Sequence, residues 1–290
     1  LNMTEAGTQT DPNTIDDAVA NEIDQNSMRL ARSLPAGVNV RAIAKDRKTI
    51  FRAYDSIFFD AYARIVRREV ADIKREAKKI FKRSIKERRN RKEFLNWLET
   101  FYRDHREFFE SVLLPILRNY GEMLGLSVSN ELGEDVESIE TYIDGLVQQM
   151  SAQHSAIAEG QLVRLIESTE DDFEADVDPA LAAVEDQLDQ WDETRPRKIT
   201  DLTVVSIGSQ IIIQYYRDRQ VTKVRWVTSG ENCPFCEGMD GKVVSIDENF
   251  LEAGNDYQPD GAEAPLNSRN DIKHPPLHGG CDCSVVAERE

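Results

Sequence analysis

The sequence predicts a mainly α protein, a long helical N-terminal region followed by a small α+β zinc-binding C-terminal module. Three observations carry this. Apolar residues recur at three- and four-residue steps through most of residues 40–219, the period of an amphipathic helix. From Lys223 onward the period falls to two, as in a half-buried strand. All four cysteines lie beyond that point, in two tight pairs, Cys233/Cys236 and Cys281/Cys283.

Residues 1–13 are polar, rich in Thr and without periodicity, and read as a flexible lead or linker. The helical region spans 14–196 and the C-terminal module 197–290. Over 40–81 the positions Ile50, Tyr54, Ile57, Ala61, Ile65 and Ile73 lie in phase with no proline or glycine, which predicts one long helix with at most one break. A second helix covers 92–126, where Pro115 is expected to kink or divide it. A third covers 135–167. The acidic segment 167–178 is expected to break the pattern, with Phe173 as its one anchor. Pro179 suits a first helical turn and opens a short helix to 194. After Arg195-Pro196 another helix is expected over 200–219, rich in β-branched residues and so dependent on packing. Strands are expected at 223–228, 242–246 and 284–287, and between the last two the Gly-, Asn- and Asp-rich loop 252–273 is longer than an ordinary connection. Metal ligands at its ends would anchor it.

The 40% hydrophobic and 31% charged composition suits a protein with a core. No apolar run approaches the ~20 residues of a membrane span, nor does the start carry a signal-peptide pattern, so no membrane partner is expected and the reading is of an intracellular or particle-associated protein. The chain begins at Leu1, which fits a fragment, a processed chain or the tail of a fusion. A net charge of -17 argues against coating nucleic acid with the whole surface. Residues 64–92 run the other way, with 14 basic residues against four acidic ones. Lys78, Lys79, Lys82 and Arg83 are the residues there that could meet DNA or an acidic partner; the plainer reading is a solvated helix face balanced by the acidic remainder.

Cys233-Pro-Phe-Cys236 sets two thiolates where both sulfurs can face one point about 2.3 Å away, and His278-Gly-Gly-Cys281-Asp-Cys283 supplies imidazole and thiolate on a backbone that glycines let curl. Such a closed, soft set in two clusters suits tetrahedral structural zinc. Cys233, Cys236, His278 and Cys283 form the first choice, with Cys281 an alternative to Cys283 and His274 the last candidate. The competing readings are ordinary thiols or a redox pair, disfavoured because strands flank the CxxC with no following helix, and an iron–sulfur cluster, disfavoured by the histidine. His105 and His154 read as surface or packing residues. Trp226 is expected to pack beneath the metal module.

The ordered string Val224, Arg225, Trp226, Val227, Thr228, then CPFC at 233–236, then Met239-Asp240-Gly241-Lys242, then PPLHGGCDC at 275–283, resembles the C-terminal module of phage head morphogenesis proteins of the Mu F-like type, also called minor head or minor capsid proteins. The match covers about residues 197–287. Asp282 stands where that family usually has Arg, Gly279-Gly280 replace Pro-Asn, and the preceding helix lacks the Arg-Thr-Glu signature. The resemblance implies a non-enzymatic component of the virion or procapsid, in the host cytoplasm during assembly. It also implies action in procapsid assembly or DNA packaging and delivery near the portal, with the phage portal protein and capsid or scaffold proteins as partners and DNA as a further one. Two other readings are an HNH-type zinc nuclease, which needs a metal-binding helix for which the seven residues after Cys283 leave no room, and a nucleic-acid-binding adaptor using the basic helix at 64–92.

Overall fold

The computed structural model describes residues 39–82, 88–169, 178–230 and 233–288. The expected lead at 1–13, the helical region up to residue 38, Arg83, and the acidic segment around Phe173 lie outside the described residues. Helix α1, Val40–Phe81, starts where the Asn39 side chain accepts the Arg41 N–H at 3.0 Å, and it runs without a break. Helix α2, Arg88–Leu132, carries Pro115 inside it and is not divided there. Helix α3 is Glu140–Ser168. Among the described residues no helix is long and apolar enough to cross a membrane.

Helix α4 departs from expectation. Asp178 caps it and Pro179 opens it, but it continues from Pro179 to Asp218 through Pro196, where two helices were expected. A proline inside a helix removes one main-chain hydrogen bond. The residue before it is tied down: the Arg195 guanidinium stacks 3.9 Å from the Trp191 ring one turn earlier on α4 and lies 3.6 Å from Glu69 on α1. Close approach also matters higher up. A Cβ on Gly208 would sit 2.3 Å from the Tyr120 hydroxyl and 2.7 Å from Phe51, so only glycine lets α4 press against α1 and α2 there.

After α4 come β1 (Lys223–Val227), α5 (Pro234–Met239), β2 (Val243–Ser245), β3 (Asp256–Tyr257), β4 (Leu266–Asn267) and β5 (Ser284–Ala287). The three expected strands form one antiparallel sheet in the order β2-β1-β5, and β3 and β4 make a separate hairpin. The architecture is therefore mainly α, four long helices closed by a small strand-containing end. A continuous helix, α4, crosses residues 196–197.

The sheet is locked to the helices by a buried network. Arg47 of α1 is fully buried, with Nη2 2.5 Å from Glu131 of α2, Nη1 3.0 Å from the Tyr216 hydroxyl of α4, Nε 3.3 Å from Ser127, and a further bond to the Val285 carbonyl of β5. Glu131 in turn accepts the Ala287 N–H at 2.7 Å. Burial opposes the charge on Arg47, but Tyr216 and Glu131 outweigh it and raise its pKa.

A second buried network lies midway down the bundle. Glu69, with none of its surface exposed, accepts from the Tyr102 hydroxyl at 2.6 Å and pairs with His154 Nε2 at 3.1 Å. His105, beside them, is only 4% exposed and its Nε2 has no hydrogen-bond partner. Neither histidine is on the surface, which corrects half of the sequence reading: the helical period places both inward, and Glu69 explains why His154 is tolerated there.

Burial alone would raise the Glu69 carboxyl, yet His154, Arg195 and Tyr102 hold it down to about 2. Burial is the leading cause that lowers His105 to about 4. Folded, both groups bind fewer protons than unfolded, His105 between 6.5 and about 4 and Glu69 between 4.5 and about 2. Their stabilisation is thus complete above pH 6.5 and lost as pH falls, through the His105 window first. Urea unfolding from pH 8 to 4 should lose about 3 kcal/mol through His105, and His105→Phe should flatten that part of the profile. An unchanged slope in the variant would contradict the assignment.

Candidate metal centre

The β1–β5 register builds the centre. Pairing Trp226 with Val285 and Val227 with Ser284 sets Cys283 beside the end of β1, and Cys281 one turn before it. From β1 the chain runs through a short loop into α5, whose N-cap is Cys233 and whose first residue is Pro234. CPFC therefore occupies the first turn of a six-residue helix. This corrects the expectation that no helix follows the CxxC. The redox reading is instead weakened by topology, since β1 and β2 are antiparallel neighbours rather than the parallel strands of a βαβ unit.

The donors converge on Cys236. His278 Nε2 lies 3.0 Å from Cys233 Sγ and 3.3 Å from Cys236 Sγ, and Cys236 Sγ lies 3.7 Å from Cys281 Sγ. Two triads share that cysteine: Cys233, Cys236 and His278 in one, Cys236, Cys281 and Cys283 in the other, with ligand atoms within 4.8 Å of one another. All four cysteines are free thiols. Three are buried and Cys233 is half-buried. The ring of His278 is oriented for ligation, because its Nδ1 lies 2.8 Å from the Gly279 carbonyl and donates to it, leaving the Nε2 lone pair facing the sulfurs. His274 is not part of the cluster. Its Nδ1 faces the Pro275 carbonyl at 2.7 Å.

The electrostatics favour a cation. The Cys281 and Cys283 sulfurs, with burial, push the Cys236 thiol far up, whereas the Cys236 and Cys283 thiols and the Leu277 amide draw Cys281 down. Burial opposes the Cys233 thiolate, but the Cys236 amide and thiol and His278 lower it on balance. Burial likewise opposes charge on His278, and the Gly279 carbonyl and Cys233 raise it. Buried sulfurs at van der Waals separation cannot all ionise unless positive charge sits among them, and divalent metal supplies it. The cluster can thus hold a metal ion.

Beneath it, Trp226 is fully buried and meets Phe250 edge-on at 5.1 Å. Its indole N–H has no hydrogen-bond acceptor in good geometry, yet it lies near enough to Cys283 to favour that thiolate. Asp240, from the Met-Asp-Gly turn, accepts from the Thr228 amide and hydroxyl at 2.9 and 3.0 Å and pairs with Arg41 of α1 at 2.9 Å. Asp282 pairs with Lys48 of α1 at 2.6 Å. Sequence reasoning missed both anchors to α1; only the charge at 282, between two cysteines, hinted at one.

The 252–273 loop needs less anchoring than its length suggested. Leu251 bridges Ile272, β3 pairs β4, and the Tyr257 hydroxyl reaches the Phe235 carbonyl at 3.3 Å, so a hairpin folds back onto α5. Of the basic residues singled out earlier, Lys78 and Lys79 stand on α1, apart from the centre, and Lys82 is its C-cap. Lys78 pairs with Glu185 at 2.9 Å, Lys79 with Glu76 at 2.8 Å, Lys74 with Asp189, and Lys82 is exposed. Part of that face, Lys74 and Lys78, is thus balanced by the acidic side of α4. No protein-family model, no curated protein and no solved structure matches the chain.

Gly238 is the tightest point of the loop docking, since a Cβ there would lie 2.4 Å from the Tyr257 hydroxyl and 2.6 Å from Pro259. Gly238→Val should cost about 1–3 kcal/mol and lift the hairpin, seen as faster proteolysis within 252–273. Protection equal to the parent chain would show that the hairpin does not rest on α5.

Proposed function

We propose that the cluster holds one structural zinc ion and that the chain is a non-enzymatic head-assembly protein of the Mu F-like minor capsid type, acting near the portal. The observation that carries the metal is the convergence of sulfur and imidazole donors from segments more than 40 residues apart, with His278 held in the tautomer a ligand needs. Zinc fits better than iron–sulfur because one donor is nitrogen, and a closed set of four leaves no position for a reacting water. The fourth ligand is Cys281. Its 3.7 Å distance from Cys236 is close to the S–S edge of about 3.8 Å in a tetrahedron with 2.3 Å bonds. Main-chain N–H groups of Leu277 and Cys283 further support its thiolate. Cys283 then lies behind the ion against Trp226.

Support for the head-assembly reading is the ordered string that the sequence shares with that family, each part of which has a job in one compact end. Trp226 is the floor, CPFC and HGGC the two knuckles, and Asp240 the clasp on β1 and α1. The nuclease reading is weakened because His274, the base it would use, is not part of the donor cluster.

Purified chain should contain about one zinc, lost in Cys233→Ser, His278→Ala and Cys281→Ser but retained in Cys283→Ser. Loss in Cys283→Ser with retention in Cys281→Ser would move the fourth ligand, and no metal in any sample prepared without chelator would remove the centre. The assembly role is tested separately. Mass spectrometry of heads purified from cells that produce the particle should find this chain at low copy, and its absence from both procapsids and mature heads would end that reading.

A further inference from the structure

Outside the cysteine cluster, and lined by none of its residues, lies a cleft of ≈ 980 Å³ between α3 and α4. Its α3 wall includes Met150, Ile157, Gln161 and Arg164, and its α4 wall Trp191, Lys198 and Leu202, each set at helical steps along one face. From Met150 to Ser168 the α3 wall extends about 27 Å, the length of an 18-residue helix. Ile157 and Leu202 at the rim are 49% and 63% exposed.

The charge of the lining is opposite to that of the chain. In a protein of net charge -17, the described lining residues include Arg164, Arg195 and Lys198 and no Asp or Glu. Arg164 and Lys198 are exposed and form no ion pair among the described residues. Arg195, 9% exposed, is held rigidly against Trp191 at 3.9 Å, and its Nη1 has no hydrogen-bond acceptor, the nearest charge being Glu69 at 3.6 Å. Apolar side chains, amide-bearing walls and two exposed cations, Arg164 and Lys198, without ion pairs among the described residues, along a helix-length trough, match an amphipathic helix whose apolar stripe is flanked by carboxylates.

We propose that this cleft is a docking groove for an acidic amphipathic helix of a partner protein, whose leucine-like side chains cover Ile157 and Leu202 and whose carboxylates meet Arg164 and Lys198. Shape alone would admit other occupants; charge decides. A compact anion would leave most of the trough empty, and a second copy of so acidic a chain would be repelled except through an acidic helix that fits this description. The groove is independent of the metal centre.

The probe is a labelled synthetic peptide of about 18 residues, helix-forming, with leucines on one face and glutamates on both flanks, compared with its twin in which lysines replace the glutamates. Fluorescence anisotropy with the full chain should show saturable one-to-one binding of the acidic peptide only. Arg164→Glu with Lys198→Glu should weaken it about tenfold or more and gain binding of the lysine twin, with an unchanged circular dichroism spectrum because both side chains are exposed. Equal binding of the two peptides, binding of neither, or an acidic-peptide affinity untouched by the reversal would overturn the proposal. So would concentration-dependent self-association that Ile157→Asp and Leu202→Asp abolish, which would give the groove to a second copy.

Discussion

The charge of Arg47 governs how the two ends of this protein are joined. A guanidinium with no exposed surface must have its donors filled, and here acceptors come from α2, α4 and β5 together. Removing one member of such a buried pair commonly costs about 3–5 kcal/mol, because the survivor is left charged and dry. The sheet therefore cannot slide along the bundle without stranding Arg47, Glu131 or the Ala287 amide. Register in β5 follows from this, and register in β5 sets where Cys281 and Cys283 stand.

At the centre itself the constraint is again charge out of water. Cys236 sits between two sulfurs on one side and an imidazole on the other, an arrangement that is repulsive once the thiols ionise and cohesive once a divalent ion enters. The module has little apolar core of its own beyond Trp226, Phe250 and the inner faces of the strands. Two ion pairs, Arg41 with Asp240 and Lys48 with Asp282, hold it to α1. Partly exposed pairs of this kind contribute modestly to stability, and their value lies in orientation.

Charge is segregated along the chain and then partly recombined by folding. The basic run of α1 meets Glu185 and Asp189 of α4, which leaves less of it for an outside partner than the sequence implied. The cleft between α3 and α4 does the reverse, bringing Arg164 together with Arg195 and Lys198. The last two lie in the short basic stretch Arg195-Pro196-Arg197-Lys198, which sequence reasoning did not single out.

Local signals were sufficient for the helices α1 to α3 and the three strands of the sheet, because periodicity reports which face is buried whatever covers it. The residues that come together as a cluster able to hold a metal ion were also legible, since paired cysteines at knuckle spacing draw attention in such a chain. Long-range contact decided the remainder. Pro196 stays inside α4 where Arg195, stacked on Trp191 one turn earlier, also meets Glu69 of α1, a partner far from any local window. The histidines at 105 and 154 turn inward because a carboxylate from another helix awaits one of them. The loop at 252–273 folds on itself through bonds between its two ends. Sequence by itself determined most of the helices, the three strands of the sheet and which residues could bind metal, since those are properties of short segments. Only the tertiary structure decided which charges are buried and which donors meet, because desolvation and contact depend on residues that the chain brings together from far apart.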